Sequence, residues 1–244
     1  MKKVLLALLT CYLLLMTTVC FGEEKKEEWA NAAYSFKQLK TVLVQYSIQS
    51  DISLSETERQ KLDDAFRASF FKNDKKQKLT YISLTAAEAS LEKLLSLQLT
   101  ELKETASPKY EETLTAHLPA IANAILKVTI TAQNYSTVHI EQTTEIYTDY
   151  EYRTIYEPYY NSGRYAGSTA RTIQVPVTKT RYVPAHDVQI AHAGAEFVLE
   201  DAKTQQPVWR LVDIREAPSK SALSMTERIF ERAKGQLIRQ MKRD

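Results

Sequence analysis

The side chains of this sequence that could carry chemistry are few, and the histidines stand first among them. His186, Asp187 and His192 lie close together and are of types that bind divalent metals. Two residues six apart in an extended strand share one face but lie about 20 Å from each other, so His186 and His192 ligate one ion only if the chain bends between them. The spacing therefore predicts no metal site, and a metal-binding enzyme centred on these residues stays open only as a third hypothesis.

The sequence also lacks the usual catalytic motifs. Both cysteines, Cys11 and Cys20, lie in the first 22 residues, so the rest of the chain has no thiolate nucleophile, disulfide or cysteine metal site. It contains no Gly-rich phosphate loop and no Gly-x-Ser-x-Gly elbow. No carboxylate lies in an apolar run that would raise its pKa. We therefore expect no cofactor and no enzymatic activity.

The N-terminus has the pattern of an export signal. Met1–Lys3 is basic, Val4–Val19 is an apolar run, and Gly22 precedes the polar Glu23. This order predicts a signal peptide over residues 1–22, cleaved after Gly22, and hence secretion across the cytoplasmic membrane. A retained anchor and lipidation at Cys20 stay open as alternatives.

Length and charge limit the remaining organisation. We expect a charged N-terminal linker over residues 23–35, followed by a single α/β domain over 36–244 with a β-hairpin insertion at about 134–192. The formal net charge of +2 is near neutral, which predicts no nucleic-acid partner.

The longest regular pattern lies between Leu126 and Tyr156, where apolar residues favour even positions and polar residues favour odd ones. A period of two predicts extended strand with one apolar and one wet face. Asn161 and Gly163 mark a turn, and alternation resumes from Thr172. Pro176 and Pro184 indicate that the return arm is an edge strand or is broken there. We expect the first arm either to bend near residues 134–136 or to project.

Segments around the hairpin define the body. The order is strand, helix, strand, helices, antiparallel strands and a closing helix, which predicts a parallel pair at the start and a mixed sheet overall. The fold class is α+β, an α/β sandwich with a mixed sheet packed by helices on one side. Three pairs match the helix capping box: Ser55 with Glu58, Thr85 with Glu88, and Ser224 with Glu227.

Eight of the fourteen tyrosines fall between Tyr147 and Tyr182. They either tile a twisted hairpin or form a rigid contact surface for another copy, another envelope protein or a glycan. Acids of the first arm and bases of the return arm are spaced to pair across the strands. The candidate binding residues are Tyr147, Tyr150, Tyr152, Arg153, Tyr156, Tyr159, Tyr160, Arg164, Tyr165, Arg171, Arg181 and Tyr182.

One short segment carries a resemblance to a known group. Asp201-Ala202-Lys203-Thr204, followed by Val208-Trp209 and a final helix, resembles small bacterial envelope proteins that share the fold of the TolB amino-terminal domain and the curli channel CsgG. The resemblance implies a non-enzymatic protein of the periplasm or outer-membrane periphery, with no catalytic residues to transfer. By simple physics, Asp201 and Thr204 satisfy turn backbone groups and Trp209 fills the space between sheet and last helix.

The first and second hypotheses for the function both concern the hairpin. The first is a non-enzymatic, secreted envelope protein that presents the Tyr-rich hairpin for protein–protein assembly, by self-association or with an envelope partner. The alternative is a membrane-associated oligomer or pore subunit, since CsgG-like channels contribute hairpins to a shared barrel. The segments 138–152 and 171–182 are about long enough to span a bilayer.

Overall fold

The computed structural model of this chain describes residues 24–72 and 79–243, so the predicted signal peptide lies outside the described residues. The helices are α1 (Glu56–Phe70), α2 (Leu84–Leu95), α3 (Leu99–Thr105), α4 (Ser107–His117) and α5 (Ala222–Arg243). The strands are β1 (Glu24–Ala30), β2 (Thr41–Ile48), β3 (Thr80–Ser83), β4 (Ala124–Ile140), β5 (Thr143–Asn161), β6 (Arg164–Val183), β7 (His186–Asp201) and β8 (Pro207–Pro218).

The chain divides into two compact units. The first, called the body, comprises the described residues up to Ser136 and those from Gln189 onward. The second, called the hairpin unit, comprises Thr137–Val188. The body contains all five helices and a mixed six-stranded sheet, whereas β5 and β6 form a separate two-stranded sheet. The α+β class with a long β-hairpin insertion is as the sequence predicts.

The body sheet has the strand order β1-β8-β7-β4-β2-β3. Strand β2 is parallel to both β3 and β4, which confirms the parallel pair expected from the strand–helix–strand start. Strand β8 is antiparallel to β1 and to β7. Strands β2, β3 and β4 therefore form the parallel half of the sheet, and β1, β7 and β8 form the antiparallel half.

The predicted linker at 23–35 is wrong over most of its length, because Glu24–Ala30 is an edge strand paired with β8. At least one of its charged side chains, Glu28, is held by hydrogen bonds from other parts of the body. Glu28 accepts hydrogen bonds from Trp209 Nε1 at 3.1 Å and Gln240 Nε2 at 2.9 Å. An edge strand tolerates charged side chains, so a charged composition could not distinguish it from a linker.

Helices lie against both faces of the body sheet. Val42 and Val44 of β2 pack in the main core with residues of α1 and α5. Leu43, between them, packs with Ala87 of α2 in a smaller cluster. Since successive strand residues point to opposite faces, α2 adds a second layer behind β2.

One of the three predicted capping boxes forms. Ser55 and Glu58 exchange both hydrogen bonds at the start of α1. Helix α2 begins one residue after Ser83, whose hydroxyl accepts from the backbone N–H of Ala86, so Thr85 is already helical. Helix α5 begins at Ala222, ahead of Ser224. The capping motif marked both regions but not the first residue of the helix.

The two-residue rhythm of the first arm changes phase inside β4. Ile130 lies in the core with α5, yet three residues later Gln133 Oε1 accepts from Thr226 of α5 at 2.7 Å. Regular alternation would place these two positions on opposite faces, yet both contact α5, so the alternation is irregular between them. A Cβ on Gly194 would lie 2.8 Å from Thr131 Oγ1, which explains a glycine at this point of β7.

Extended backbone continues through residues 134–136, where a bend was one of the two alternatives expected for the first arm. Strand β4 runs through to Ile140, and between β4 and β7 the chain leaves strand conformation at residues 141–142, at the turn residues 162–163 and at 184–185. Pro184 therefore marks a break, as predicted. Pro176 remains inside β6, opposite Tyr150. A proline cannot donate to the ladder, so its nitrogen faces the free edge of β6.

Candidate docking surface on the hairpin

The hairpin unit is built from one continuous antiparallel ladder. It extends from the pair Thr143–Val183 to the pair Asn161–Arg164. The turn residues Ser162 and Gly163 have φ angles of 49° and 80°. Positive φ at both positions of a two-residue turn is the type I′ pattern, whose twist matches that of the strands.

Near the turn the ladder shifts by one residue. Tyr159 pairs with Gly167 but Tyr160 pairs with Tyr165, which leaves Ala166 as the extra residue. Gly167 has a φ of 142°, a conformation that favours glycine. The rings of Tyr160 and Tyr165 meet edge to face with centroids 6.0 Å apart. The tip therefore ends in an aromatic pair fixed by the turn and the shift.

Odd-numbered positions of β5 and β6 form a face that we call the charged face. Arg181 and Glu145 approach to 2.6 Å, and Lys179 lies 2.8 Å from Asp149 and 3.3 Å from Glu151. These contacts confirm the predicted pairing of acids on the first arm with bases on the return arm. The charged face carries Glu145, Asp149, Glu151, Arg153, Glu157, Arg171, Lys179 and Arg181.

Hydrogen bonding on the charged face shifts the pKa values of its central pair in opposite directions. The hydrogen bond from Lys179 lowers the pKa of Asp149, and those to Asp149 and Glu151 raise the pKa of Lys179. Both groups therefore stay ionised over a wide pH range. The ion pairs that join β5 to β6 all lie on this face and add to the backbone ladder in fixing the register of the hairpin.

Even-numbered positions form the opposite face, on which no side chain carries a charge at neutral pH. Eight consecutive cross-strand rows, from Thr144–Tyr182 to Pro158–Ser168, carry no Asp, Glu, Lys, Arg or His. We call this the uncharged face. Its members are Thr144, Ile146, Thr148, Tyr150, Tyr152, Thr154, Tyr156, Pro158, Ser168, Ala170, Thr172, Gln174, Pro176, Thr178, Thr180 and Tyr182.

Large side chains on the uncharged face are open to solvent. Ile146 and Tyr152 are each 73% exposed, and Tyr156 is 72% exposed. Nothing in residues 137–188, all of which are described, is buried. An isoleucine and several tyrosines are thus displayed on a single-layer ribbon that has no core of its own.

The twelve predicted site residues do not form one surface. Tyr150, Tyr152, Tyr156 and Tyr182 lie on the uncharged face, and Tyr159, Tyr160, Arg164 and Tyr165 lie at the tip. Three of the four arginines expected among the tyrosines lie on the other face. Arg153, Arg171, Arg181 and Tyr147 belong to the charged face, where Arg181 lies 6.0 Å from the ring centroid of Tyr147.

Sequence reasoning missed the members of the uncharged face that are not aromatic. Ile146 is one of them, and Thr144, Thr148, Thr178 and Thr180 lie around it. The signal was present in the sequence, because no charged residue occupies an even position from 144 to 182 except within the turn segment. Attention to tyrosine and arginine content hid this separation of charge.

The histidines are distributed over separate sites. His139 Nδ1 lies 2.7 Å from Asp187 Oδ1 within the hairpin unit, whereas His192 belongs to the body. His186 Nδ1 lies 3.0 Å from the carbonyl of Pro184. Among the described residues, no group of three His, Cys, Asp or Glu side chains is placed to hold a metal.

His192 has two polar neighbours. Its Nε2 lies 2.6 Å from Ser136 Oγ, and its Nδ1 lies 3.0 Å from Glu216 Oε1. The connectivity is that of a nucleophile, base and acid, but Ser136 and nearly half of Glu216 are open to water. A nucleophile needs a shaped site with oxyanion donors, so we interpret the row as cross-strand polar contact in the sheet.

The turn that carries the family resemblance has the structural role expected of it. Asp201 Oδ1 accepts from the backbone N–H of Lys203 at 3.1 Å and of Thr204 at 2.8 Å. Trp209 is 1% exposed and packs in the core that includes Phe230 of α5. These residues stabilise the turn and the core of the body.

Within the part of the chain that the structure describes, no helix is both long and apolar enough to cross a membrane. No protein-family model matches the sequence, and no curated protein matches it.

Several solved structures share a loose likeness to this chain. The PelC dodecamer from Paraburkholderia phytofirmans is 11% identical at a TM-score of 0.34, over 84% of this chain and 89% of that chain. Lipoprotein GNA1162 from Neisseria meningitidis is 13% identical at 0.32, over 82% and 99%. A PDZ domain protein from Parabacteroides distasonis is 11% identical at 0.27, over 86% and 35%. Scores this low carry no conclusion about function.

Proposed function

We propose that this chain is a non-enzymatic protein of the cell envelope that presents its Tyr-rich β-hairpin for protein–protein assembly. The observation that carries the proposal is the uncharged face, eight rows long and rich in exposed Tyr and Thr, on a ribbon with no buried residue. A contact role explains both its composition and its exposure.

The energetics of a two-stranded ribbon favour a partner. A two-stranded hairpin in water is at best marginally stable, because it lacks a second layer to bury its side chains. Contiguous exposed apolar and aromatic surface commonly marks an interaction site. Tyrosine supplies a large contact area at a small entropic cost, which suits such a surface. Burial of Ile146, Tyr152 and Tyr156 against a partner would supply the layer that the ribbon lacks.

The remaining parts of the proposal come from the sequence. The N-terminal pattern of residues 1–22 supports secretion, and the Asp201–Thr204 and Val208-Trp209 segment supports kinship with TolB-like and CsgG-like envelope proteins. Absence of an enzymatic role is proposed because the polar clusters of the body serve turns, strand rows and ion pairs. The body then acts as the carrier of the hairpin.

Replacing the ribbon tests the proposal. Thr143 and Val183 are paired, so residues 143–183 can be replaced by an Asn-Gly turn between Gln142 and Pro184. Envelope extracts from cells making the full-length or the shortened chain are cross-linked, and the proteins recovered with each are compared. We expect the shortened chain to lose its cross-linked partners, including copies of itself.

A control separates loss of contact from loss of fold. The shortened chain should keep cooperative urea unfolding, since the ribbon contributes nothing to the main core clusters. Retention of every cross-linked partner by a folded, shortened chain would overturn the proposed function.

A further inference from the structure

We infer that the uncharged face docks on the same face of a second copy of this chain, so that two β5–β6 ribbons stack as a two-layer sandwich. This inference rests on the proposed function and names the partner. It is drawn from three properties of the face: its lack of charge, the hydrogen-bonding character of its polar groups, and its area.

Charge is the first property. Stacked sheets lie about 10 Å apart, and a charge enclosed between them must be paired or must pay a large desolvation cost. The uncharged face offers no such group over its eight rows, while every ion pair of the ribbon lies on the other side. Two identical faces therefore meet without like-charge repulsion, and both charged faces remain in water.

Self-complementary hydrogen bonding is the second property. The polar side chains of the uncharged face are Thr, Ser, Tyr and Gln, each of which both donates and accepts. Gln174 Nε2 already donates to Tyr152 Oη at 3.0 Å across the strands. A face of this kind satisfies an identical face directly, whereas a surface of carboxylates or ammonium groups needs a partner of opposite chemistry.

Area is the third property. Sixteen residues in two strands cover about 50–60 Å in length and roughly 10 Å in width, or on the order of 500–600 Å² per copy. Two copies together bury about 1,000–1,200 Å², which lies at the lower limit for a specific interface. Twofold pairing of one face with itself is also the commonest form of homodimer. The uncharged face is thus large enough for a second copy without further contacts.

The mass of the full-length chain in solution, measured by sedimentation equilibrium, tests this inference. We expect a dimer whose dissociation constant is nearly unchanged between roughly 0.05 and 0.5 M NaCl, since no ion pair crosses the interface. Tyr152→Asp places a carboxylate in the middle of the uncharged face and should weaken dimerisation by about tenfold or more.

Arg153→Asp is the matched control, because it introduces the same side chain at the next residue but on the charged face. Its dimerisation should stay within about twofold of the parent chain. Circular dichroism of both variants confirms that the strands are retained. Equal weakening by the two substitutions, or dimerisation that fails at high salt, would indicate that the copies pair through the charged face. Either result would contradict the inference.

Other occupants give distinct outcomes. A chain that is monomeric at micromolar concentration but co-sediments with phosphatidylcholine vesicles would assign the face to lipid and overturn the inference. A monomer that still captures a different envelope protein through the hairpin would overturn it too, while leaving the proposed function intact. A full-length chain that is monomeric and captures no envelope protein would contradict both this inference and the proposed function.

Discussion

The strands of the body and those of the hairpin unit are stabilised by different interactions. In the body, β7 and β8 bury alternate residues against α5, and ring contacts join Phe230 to Phe66, Phe70 and Phe197. In the hairpin unit every residue is at least partly exposed, and order rests on the ladder, a tight turn and surface ion pairs. Burial of side chains stabilises the body, whereas backbone hydrogen bonds, the turn and exposed ion pairs stabilise the hairpin unit.

Electrostatics show the same contrast. In the body, Asp213 is fully buried and accepts two hydrogen bonds from Arg215, each at 3.0 Å, with Arg232 3.4 Å away. In the hairpin, the partners Arg181 and Glu145 are about half exposed or more. A charge pair removed from water is costly to break, while an exposed pair contributes little. Equivalent substitutions in the two units should therefore have unequal effects.

The largest contrast should come from truncating one aromatic side chain in each unit. Phe230→Ala removes a ring that contacts three others in the core and should lower the free energy of unfolding by about 3–5 kcal/mol. Tyr152→Ala, on the exposed ribbon, should change it by less than about 0.5 kcal/mol. Urea denaturation followed by circular dichroism measures both. Similar losses would show that the ribbon is part of the cooperative core.

Breaking one ion pair in each unit should give a difference nearly as large. Asp213→Ala leaves the buried Arg215 with only the half-exposed Glu24, 3.5 Å away, as an acidic partner and should cost about 3–5 kcal/mol. Glu145→Ala frees Arg181 into water and should cost about 0.2–1 kcal/mol. The same denaturation experiment compares them at low and high salt. A costly Glu145→Ala would mean that the charged face is covered in solution.

Glycine substitutions should give a smaller difference between the units. Gly194→Ala brings a Cβ to 2.8 Å from Thr131 Oγ1 inside the body sheet and should cost about 1–3 kcal/mol. Gly163→Ala meets no neighbouring atom, and its φ of 80° strains the new side chain by about 1 kcal/mol. Amide hydrogen exchange distinguishes them, since the first should speed exchange in β4 and β7 and the second only near the turn.

Acid should weaken the attachment of β1 to the body by a modest amount. Burial alone would raise the pKa of Glu28, but hydrogen bonds from Trp209, Gln240 and Lys26 outweigh it and leave that pKa below its ordinary value of 4.5. A carboxyl whose pKa is lowered by folding stabilises the fold above its unfolded pKa, and this stabilisation is lost as the pH falls through the lower folded value.

The variant Glu28→Gln tests this dependence. Between pH 7 and pH 3 the parent chain should lose more stability than the variant, because only the parent carries a carboxyl that titrates at this position. Asp149→Asn is the comparison in the hairpin, where Lys179 lowers the pKa of a carboxyl that is nearly half exposed, and global unfolding should barely respond. Equal acid sensitivity in parent and Glu28→Gln would place the relevant carboxyls elsewhere.

Local sequence patterns predicted the strands and the turn more accurately than they predicted which distant residues each element contacts. The period of two in 126–156 gave β4 and β5, and Asn161 and Gly163 marked the turn, because pleat and positive φ are properties of a few neighbouring residues. The charged segment 24–30 was assigned to a linker because nothing within it reveals Trp209 and Gln240, which lie far along the chain and hold Glu28. Predicted site residues were grouped by composition, and register then placed them on two faces and a tip.

By itself the sequence determined the α+β class, the parallel start of the sheet, the turn of the hairpin and the charges that fix its register. These follow from spacing, from side-chain chemistry and from the order of segments. Only the tertiary structure decided that β1 closes the sheet, that β4 changes phase between Ile130 and Gln133, and which residues stay exposed. The physical reason is that burial depends on residues distant in the chain, whereas alternation is a property of neighbours.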